Sequence, residues 1–174
     1  MGQPIPWYTY SSIHFLSAKL ALLDEHDSSK PKIFEFGSGK STLWWSSRAA
    51  LVVSVEDNVE WHSYVTQNKP ANVSYEFANS RESYIEVFLK QESKFDLIVI
   101  DGSHRTDCIV NCFGKLSDKG IVIVDNSDWE EIKALGQIFK ELNFRQLEFY
   151  GVGLRNGHPW GKSFFYRPNN FLEI

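Results

Sequence analysis

Apolar side chains recur first at helical spacing and then at strand spacing. Ile13, Leu16, Leu20 and Leu23 follow the capping candidates Ser11 and Ser12, which predicts an amphipathic helix over 12–25. Short β-rich runs come next at 32–36, 51–55, 73–77, 95–100 and 121–124, with helix-compatible segments between them. Parallel neighbours need crossover connections, so this alternation predicts a mostly parallel sheet with helices on both faces. The runs LIVI and IVIV read as central strands buried on both sides. After a helical pattern over about 129–142 the alternation stops. Strand-like stretches at 144–150 and 162–166, separated by little more than GVGLRNGHPWG, predict an antiparallel hairpin. The fold class is therefore α/β, doubly wound, with seven strands in one domain, and neither a repeat nor a Pro/Gly linker divides the chain.

Composition narrows the function classes. The 174 residues are 43% hydrophobic and 15% aromatic, enough for a sizeable core. With 18 basic against 22 acidic residues the net charge is -4, so the electrostatic footprint of a nucleic-acid binder is missing and no nucleic-acid partner is expected. Cys108 and Cys112, one helical turn apart and without a Cys/His cluster, read as reduced packing thiols, compatible with a cytoplasmic setting. No signal peptide or membrane span is readable, and Pro6 stands where a myristoylation signal at Gly2 would want Ser or Thr.

The candidate chemistry gathers at strand ends. KIFEFGSGKST runs from a strand into a helix start with Gly37 and Gly39 in the turn, where free helix amides favour an electron-rich ligand. A P-loop would need a glycine where Phe34 stands, so the phosphate cradle is too short. The second strand ends at Glu56, followed by Asp57. A carboxylate there can accept both ribose hydroxyls of an adenosine ligand, or the pair can solvate a loop and cap the helix from Asn58.

On these residues the chain resembles the class I S-adenosylmethionine-dependent methyltransferases. Their acid-x-Gly-x-Gly motif stands here as Glu35-Phe36-Gly37-Ser38-Gly39, and the second acid is Glu56. The resemblance implies a Rossmann-like sheet with one antiparallel strand, in which 31–142 form the cofactor core between an N-terminal cap at 1–30 and a hairpin at 143–174. It implies Glu35 and Gly37 near the methionine moiety, Glu56 on the ribose, and Asp57 with Asn79 or Ser80 beside adenine.

Asp101 ends the fourth strand, with His104 and Arg105 just beyond, and Asp125 and Asn126 end the fifth. Ligands bind beyond the carboxyl ends of parallel strands, so these groups are expected in the same crevice as Gly37. Asp101, Asp125 and Asn126 form a hard-oxygen set suited to Mg²⁺, and the arrangement is similar to that of the divalent-metal-dependent catechol-type O-methyltransferases. His104 stands where those enzymes carry a lysine base, and imidazole can take a hydroxyl proton near neutral pH. The metal-free reading has Asp101 on the methionine ammonium, Asp125 and Asn126 capping a helix, and His104 as a helix cap. Trp7, Tyr8 and Tyr10 at one end and His158 and Trp160 at the other could cover the crevice and stack on an acceptor, or pack in the core.

The function expected is methyl transfer, with O-methylation of a small molecule or glycan leading. A non-catalytic nucleoside-binding partner subunit and an aminopropyltransferase with an acidic amine pocket are the alternatives. Little chain is left over for choosing an acceptor, so the loops or a second subunit of a homo-oligomer would do it.

Overall fold

The computed structural model describes residues 4–25 and 30–174. The reading at Gly2 lies outside them. The chain runs α1 (Tyr10–Glu25), β1 (Lys32–Phe36), α2 (Lys40–Ser46), β2 (Leu51–Glu56), α3 (Val59–Asn68), β3 (Val73–Phe77), α4 (Arg81–Leu89) and β4 (Phe95–Ile100). It continues with α5 (Arg105–Asn111), a 3-10 turn at Cys112–Lys115, β5 (Leu116–Asp125), α6 (Glu130–Glu141), β6 (Arg145–Gly151) and β7 (Trp160–Tyr166). The seven strands form one sheet in the order β3-β2-β1-β4-β5-β7-β6. β1 to β5 are parallel, whereas β7 runs antiparallel between β5 and β6. This is the Rossmann-like, doubly wound, mostly parallel sheet with a C-terminal antiparallel hairpin that the alternation predicts.

The period of two along the strands sorts the core into two layers. Phe34, Phe36, Ile98, Ile100, Val122 and Val124 pack under α4, α5 and α6. Their sequence neighbours Ile33, Leu97, Val99, Ile121 and Ile123 pack on the other face under α1 and α2. Trp44 and Trp45 are buried in this second layer. Cys108 and Cys112 are buried free thiols under the first, in accord with the packing reading.

β5 is longer than its apolar run because it begins at Leu116, which pairs with Phe95 of β4 before the register shifts and pairing resumes at Ile121. Among the described residues no helix is long and apolar enough to cross a membrane. Strand order reverses between β1 and β4, so the carboxyl ends of β1, β2, β4 and β5 open onto one crevice.

Candidate active site

A cavity of about 420 Å³ lies in that crevice. Its first half is built on the turn after β1. Gly37 has φ 89°, and a Cβ there would stand 2.6 Å from the backbone of Gly102, so the turns after β1 and β4 can touch only as glycines. Gly39 has φ 149° and leads into α2.

Glu35 supports this turn from behind and does not line the cavity. The Gly39 N–H donates to Thr42 Oγ1 at 3.1 Å, and the Thr42 hydroxyl donates to Glu35 Oε2 at 2.5 Å. The Ser54 hydroxyl lies within reach of both Glu35 Oε2, at 3.3 Å, and the Gly37 carbonyl, at 3.1 Å. Burial pushes the Glu35 carboxyl up to about 7, against the bonds from Ser41, Thr42 and Ser54 that favour its ionised form.

The sign of the consequence follows from which state ionises first. Between pH 4.5 and 7 the unfolded chain releases the Glu35 proton before the folded chain does, so this group lowers stability as pH rises. Glu35→Gln removes the titration. Relative to the parent, the variant is expected to gain up to about 3 kcal/mol between pH 4.5 and 7.5, read from urea midpoints. A difference that does not change with pH would reject the assignment.

Glu56 ends β2 and does line the cavity. It is only 5% exposed, and its acceptor positions are filled from the chain itself. Oε1 receives the N–H groups of Asp57, at 3.1 Å, and Asn58, at 2.9 Å. Oε2 receives the Ser38 N–H, at 2.8 Å, and the Ser38 hydroxyl, at 2.5 Å. Ser38 Oγ also touches the Tyr75 hydroxyl at 2.5 Å. Burial raises the Glu56 carboxyl, opposed chiefly by Ser38.

Asp57 lines the same half of the cavity; Asn79 and Ser80 do not. Asn79 is exposed, and Ser80 caps α4 by accepting the Ser83 N–H. Trp61, on the first turns of α3, takes a lining position over Gly39, with ring atoms 3.7 Å from where a Cβ would stand.

The second half is built from the ends of β4, β5 and β7. Asp101, Gly102, Ser103, Arg105, Asp125, Asn126 and Trp160 line it. Beneath them lies Lys162, fully buried, its Nζ 2.8 Å from Asp125 Oδ1, 4.0 Å from Asp101 Oδ2 and 3.5 Å from the centre of the Tyr8 ring. β7 pairs Lys162 directly with Asp125, so strand register sets the contact. The Trp160 Nε1–H donates to the same Asp125 Oδ1 at 3.0 Å.

Burial pushes the Asp125 carboxyl up, but the Lys162 ammonium and the bonds from Asp101, Lys162 and Trp160 outweigh it, and the net direction is down. Asp101 goes the other way: burial and then the Asp125 charge hold its carboxyl well above the usual range, against Lys162 and Arg105. Two carboxyls in contact do not both ionise readily, and the proton stays with the one farther from the ammonium.

This arrangement corrects the metal expectation. Asp101, Asp125 and Asn126 do meet at one wall, but Lys162 is already the cation between the two carboxylates. A divalent ion added there would face a buried like charge. Among the described residues no group of three His, Cys, Asp or Glu side chains could hold a metal. Asn126 adopts φ 52°, the left-handed conformation that turns the chain out of β5.

His104, expected as the base, is not among the lining residues. It takes a left-handed conformation (φ 54°) just ahead of α5, with its ring edge-on to Tyr84 at 5.7 Å.

A roof joins the two halves. Trp7 meets Trp61 edge-on at 4.8 Å, and the Arg155 guanidinium stacks on Trp7 at 3.8 Å. The segment carrying Trp7 is tied to the β6–β7 connection by a Thr9–Gly153 bridge and by the Tyr10 N–H donating to the Val152 carbonyl at 3.0 Å. Of the two positions open to these aromatics, Trp7 and the largely buried Trp160 line the crevice, whereas Tyr8 is core, donated to by the Trp45 Nε1–H at 3.0 Å. Tyr10 and His158 are exposed.

No protein-family model matches the chain, and no curated protein matches it. Solved structures do. The O-methyltransferase from Bacillus cereus in complex with SAH is 14% identical, with 94% of this chain and 84% of that one covered at a TM-score of 0.69. The O-methyltransferase TomG from Streptomyces achromogenes, in complex with SAM, is 13% identical, with 88% and 89% covered at 0.65. N-methyltransferase NodS from Bradyrhizobium japonicum WM9 is 13% identical, with 89% and 97% covered at 0.59. With its strand order, its glycine turn and these neighbours, the chain has the fold of the class I S-adenosylmethionine-dependent methyltransferases.

Proposed function

We propose that this protein is a cytoplasmic S-adenosylmethionine-dependent methyltransferase that methylates an oxygen of a small molecule or glycan. The observation that carries the reading is the two-part cavity. One half holds the Gly37–Gly39 turn and the buried Glu56 carboxylate, and the other holds Asp101, Arg105 and Asn126. The residues present fit the cofactor: Ser38 and Gly39 offer close backbone approach, Glu56 suits a ribose diol, and Trp61 and Trp7 supply aromatic cover. When bound, the cofactor supplies an electrophilic methyl group on a sulfonium.

The chain's own task is alignment and exclusion of water. Trp7 and Arg155 line the cavity together and would shield a bound cofactor from water. Asp101 is a carboxyl that lines the acceptor half, and in its ionised form it would take the acceptor's proton. Because burial and the Asp125 charge hold that carboxyl high, transfer is expected to rise with pH as Asp101 ionises. Asp125 is fixed by Lys162 and Trp160, and so serves to position Asp101. The cations at this end, Arg105 and the buried Lys162, are opposite to what an amine acceptor of aminopropyl transfer would require.

Calorimetry with S-adenosylmethionine and S-adenosylhomocysteine tests the reading, followed by transfer of a labelled methyl group to hydroxyl acceptors with and without EDTA. Binding of both nucleosides and EDTA-insensitive transfer are expected. No heat with either nucleoside would sink the reading, while binding without transfer would favour the non-catalytic subunit.

A further inference from the structure

The acceptor half of the cavity is rich in hydrogen-bond donors whose charge the protein does not use up. Arg105 stands at its centre, with a side chain only 14% exposed. Its Nη2 donates to the Asp101 carbonyl at 3.1 Å and lies 3.5 Å from Asp101 Oδ1. Nε is buried without a hydrogen-bond partner, and the Trp129 ring covers the guanidinium at 4.8 Å. A guanidinium held under an indole, with Nη2 bonded to Asp101 and the other nitrogens without a hydrogen-bond partner among the described residues, retains donors for an acceptor.

The neighbours reinforce this. The Lys162 charge is answered by Asp125 at 2.8 Å, and Asp101 lies between Lys162 and Arg105. Arg155, on the opposite wall, stacks on Trp7 and makes no ion pair among the described residues. Asn126 and Ser103 add neutral donors on the same lining. Across the whole cavity Lys40, Arg105, Arg155 and the buried Lys162 stand against Glu56, Asp57, Asp101 and Asp125. The charges balance with all four carboxyls ionised, and one cation is left over while Asp101 keeps its proton. A sulfonium in the adjoining half would add to that excess.

The geometry points to an oxyanion subsite centred on Arg105: the methyl acceptor carries a carboxylate or phosphate group, which Arg105 and Arg155 hold while its hydroxyl faces Asp101. The inference rests on the methyltransferase reading and deepens it by giving the acceptor a chemical class. An acid's charge meets the Arg105 guanidinium, and the group to be methylated is left beside Asp101, which takes its proton once ionised.

The test uses the full chain saturated with S-adenosylhomocysteine and titrated by calorimetry, at constant ionic strength, with benzoate, phenyl phosphate and neutral benzyl alcohol. One or both anions are expected to bind at least about tenfold more tightly than benzyl alcohol, and the stronger identifies the carboxylate or phosphate source. Arg105→Gln should abolish the preference with S-adenosylhomocysteine affinity unchanged, and Arg105→Lys should keep part of it. Arg155→Gln, at an exposed position, should reduce it and serves if the Arg105 variants do not fold. Equal binding of benzyl alcohol, a preference that survives in Arg105→Gln, or one undiminished in Arg155→Gln, would overturn the subsite. So would loss of S-adenosylhomocysteine affinity in Arg105→Gln, which would give Arg105 to the cofactor's own carboxylate. If S-adenosylhomocysteine does not bind the parent chain but benzoate still binds through Arg105, the methyltransferase reading fails and the oxyanion subsite stands.

Discussion

Replacing Lys162 with methionine is expected to lower the stability of the folded chain by about 3–5 kcal/mol near neutral pH, because the substitution leaves the buried Asp125 carboxylate without its cation and Asp101 with Arg105 alone. For a chain of this length that corresponds to a fall in Tm on the order of 10 °C. The pH dependence carries the diagnosis. In the parent, Asp125 is held below its ordinary range, so its stabilising contribution is present above that range and is lost as pH falls through the lowered value. In Lys162→Met both carboxyls are pushed up by burial, so the variant recovers as pH falls toward 4 and weakens as it rises. Adding Asp125→Asn to Lys162→Met should return a large share of the loss at pH 8. Urea denaturation of the three chains at pH 4.5 and 8 reads both effects. Equal losses at the two pH values, or a double variant no better than the single, would mean that Lys162 acts by packing alone.

Glu56→Ala is expected to weaken S-adenosylhomocysteine binding by at least about tenfold, the scale of losing one charge-assisted hydrogen bond. A ribose diol can reach Oε2 only by displacing the Ser38 hydroxyl, and Tyr75, 2.5 Å from that hydroxyl, is the partner that receives it. The exchange therefore leaves no buried hydroxyl orphaned. Glu56→Gln keeps one carbonyl oxygen and should lose less than the alanine variant. Binding by the parent should also weaken as pH falls through the raised Glu56 value, since the protonated acid accepts less well. Calorimetry at pH 5 and 8 checks this, and undiminished affinity in Glu56→Ala would remove Glu56 from the cofactor site.

Much of this architecture is legible in the sequence because strand ends are. Buried parallel strands write themselves as apolar runs, so Glu35, Glu56, Asp101 and Asp125 stand out as the first polar positions beside them. What a one-dimensional pattern cannot supply is the side of the sheet each acid faces. Glu35 falls on the α2 side, where Thr42 engages it behind the turn instead of in front. Ser80 and His104 sit at strand ends too, yet one caps α4 and the other turns toward Tyr84.

Lys162 escaped for a different reason. In WGKSFFY an isolated lysine reads as a solvent-facing residue of an edge hairpin, and its burial follows only once β7 is inserted between β5 and β6. A trace of the signal was present, since Trp160, Lys162 and Phe164 alternate along a strand whose other positions are also apolar or small. Arg155 and Trp61 carry no local signal, because the first sits in an irregular connection and the second on a helix of mixed polarity.

The position of β7 also bears on synthesis. β6 leaves the ribosome before β7, yet β7 is the strand that joins it to the sheet. Until residues 160–166 emerge, the outer edge of β5 has no partner and β6 has nothing to pair with. The nascent chain can form the glycine turn and the Glu56 crevice from β1 to β5 while Trp160 and Lys162 are still in the tunnel. The nucleoside half of the pocket is therefore assembled before the acceptor half, and a ribosome stalled ahead of β7 would display a chain with the first and without the second.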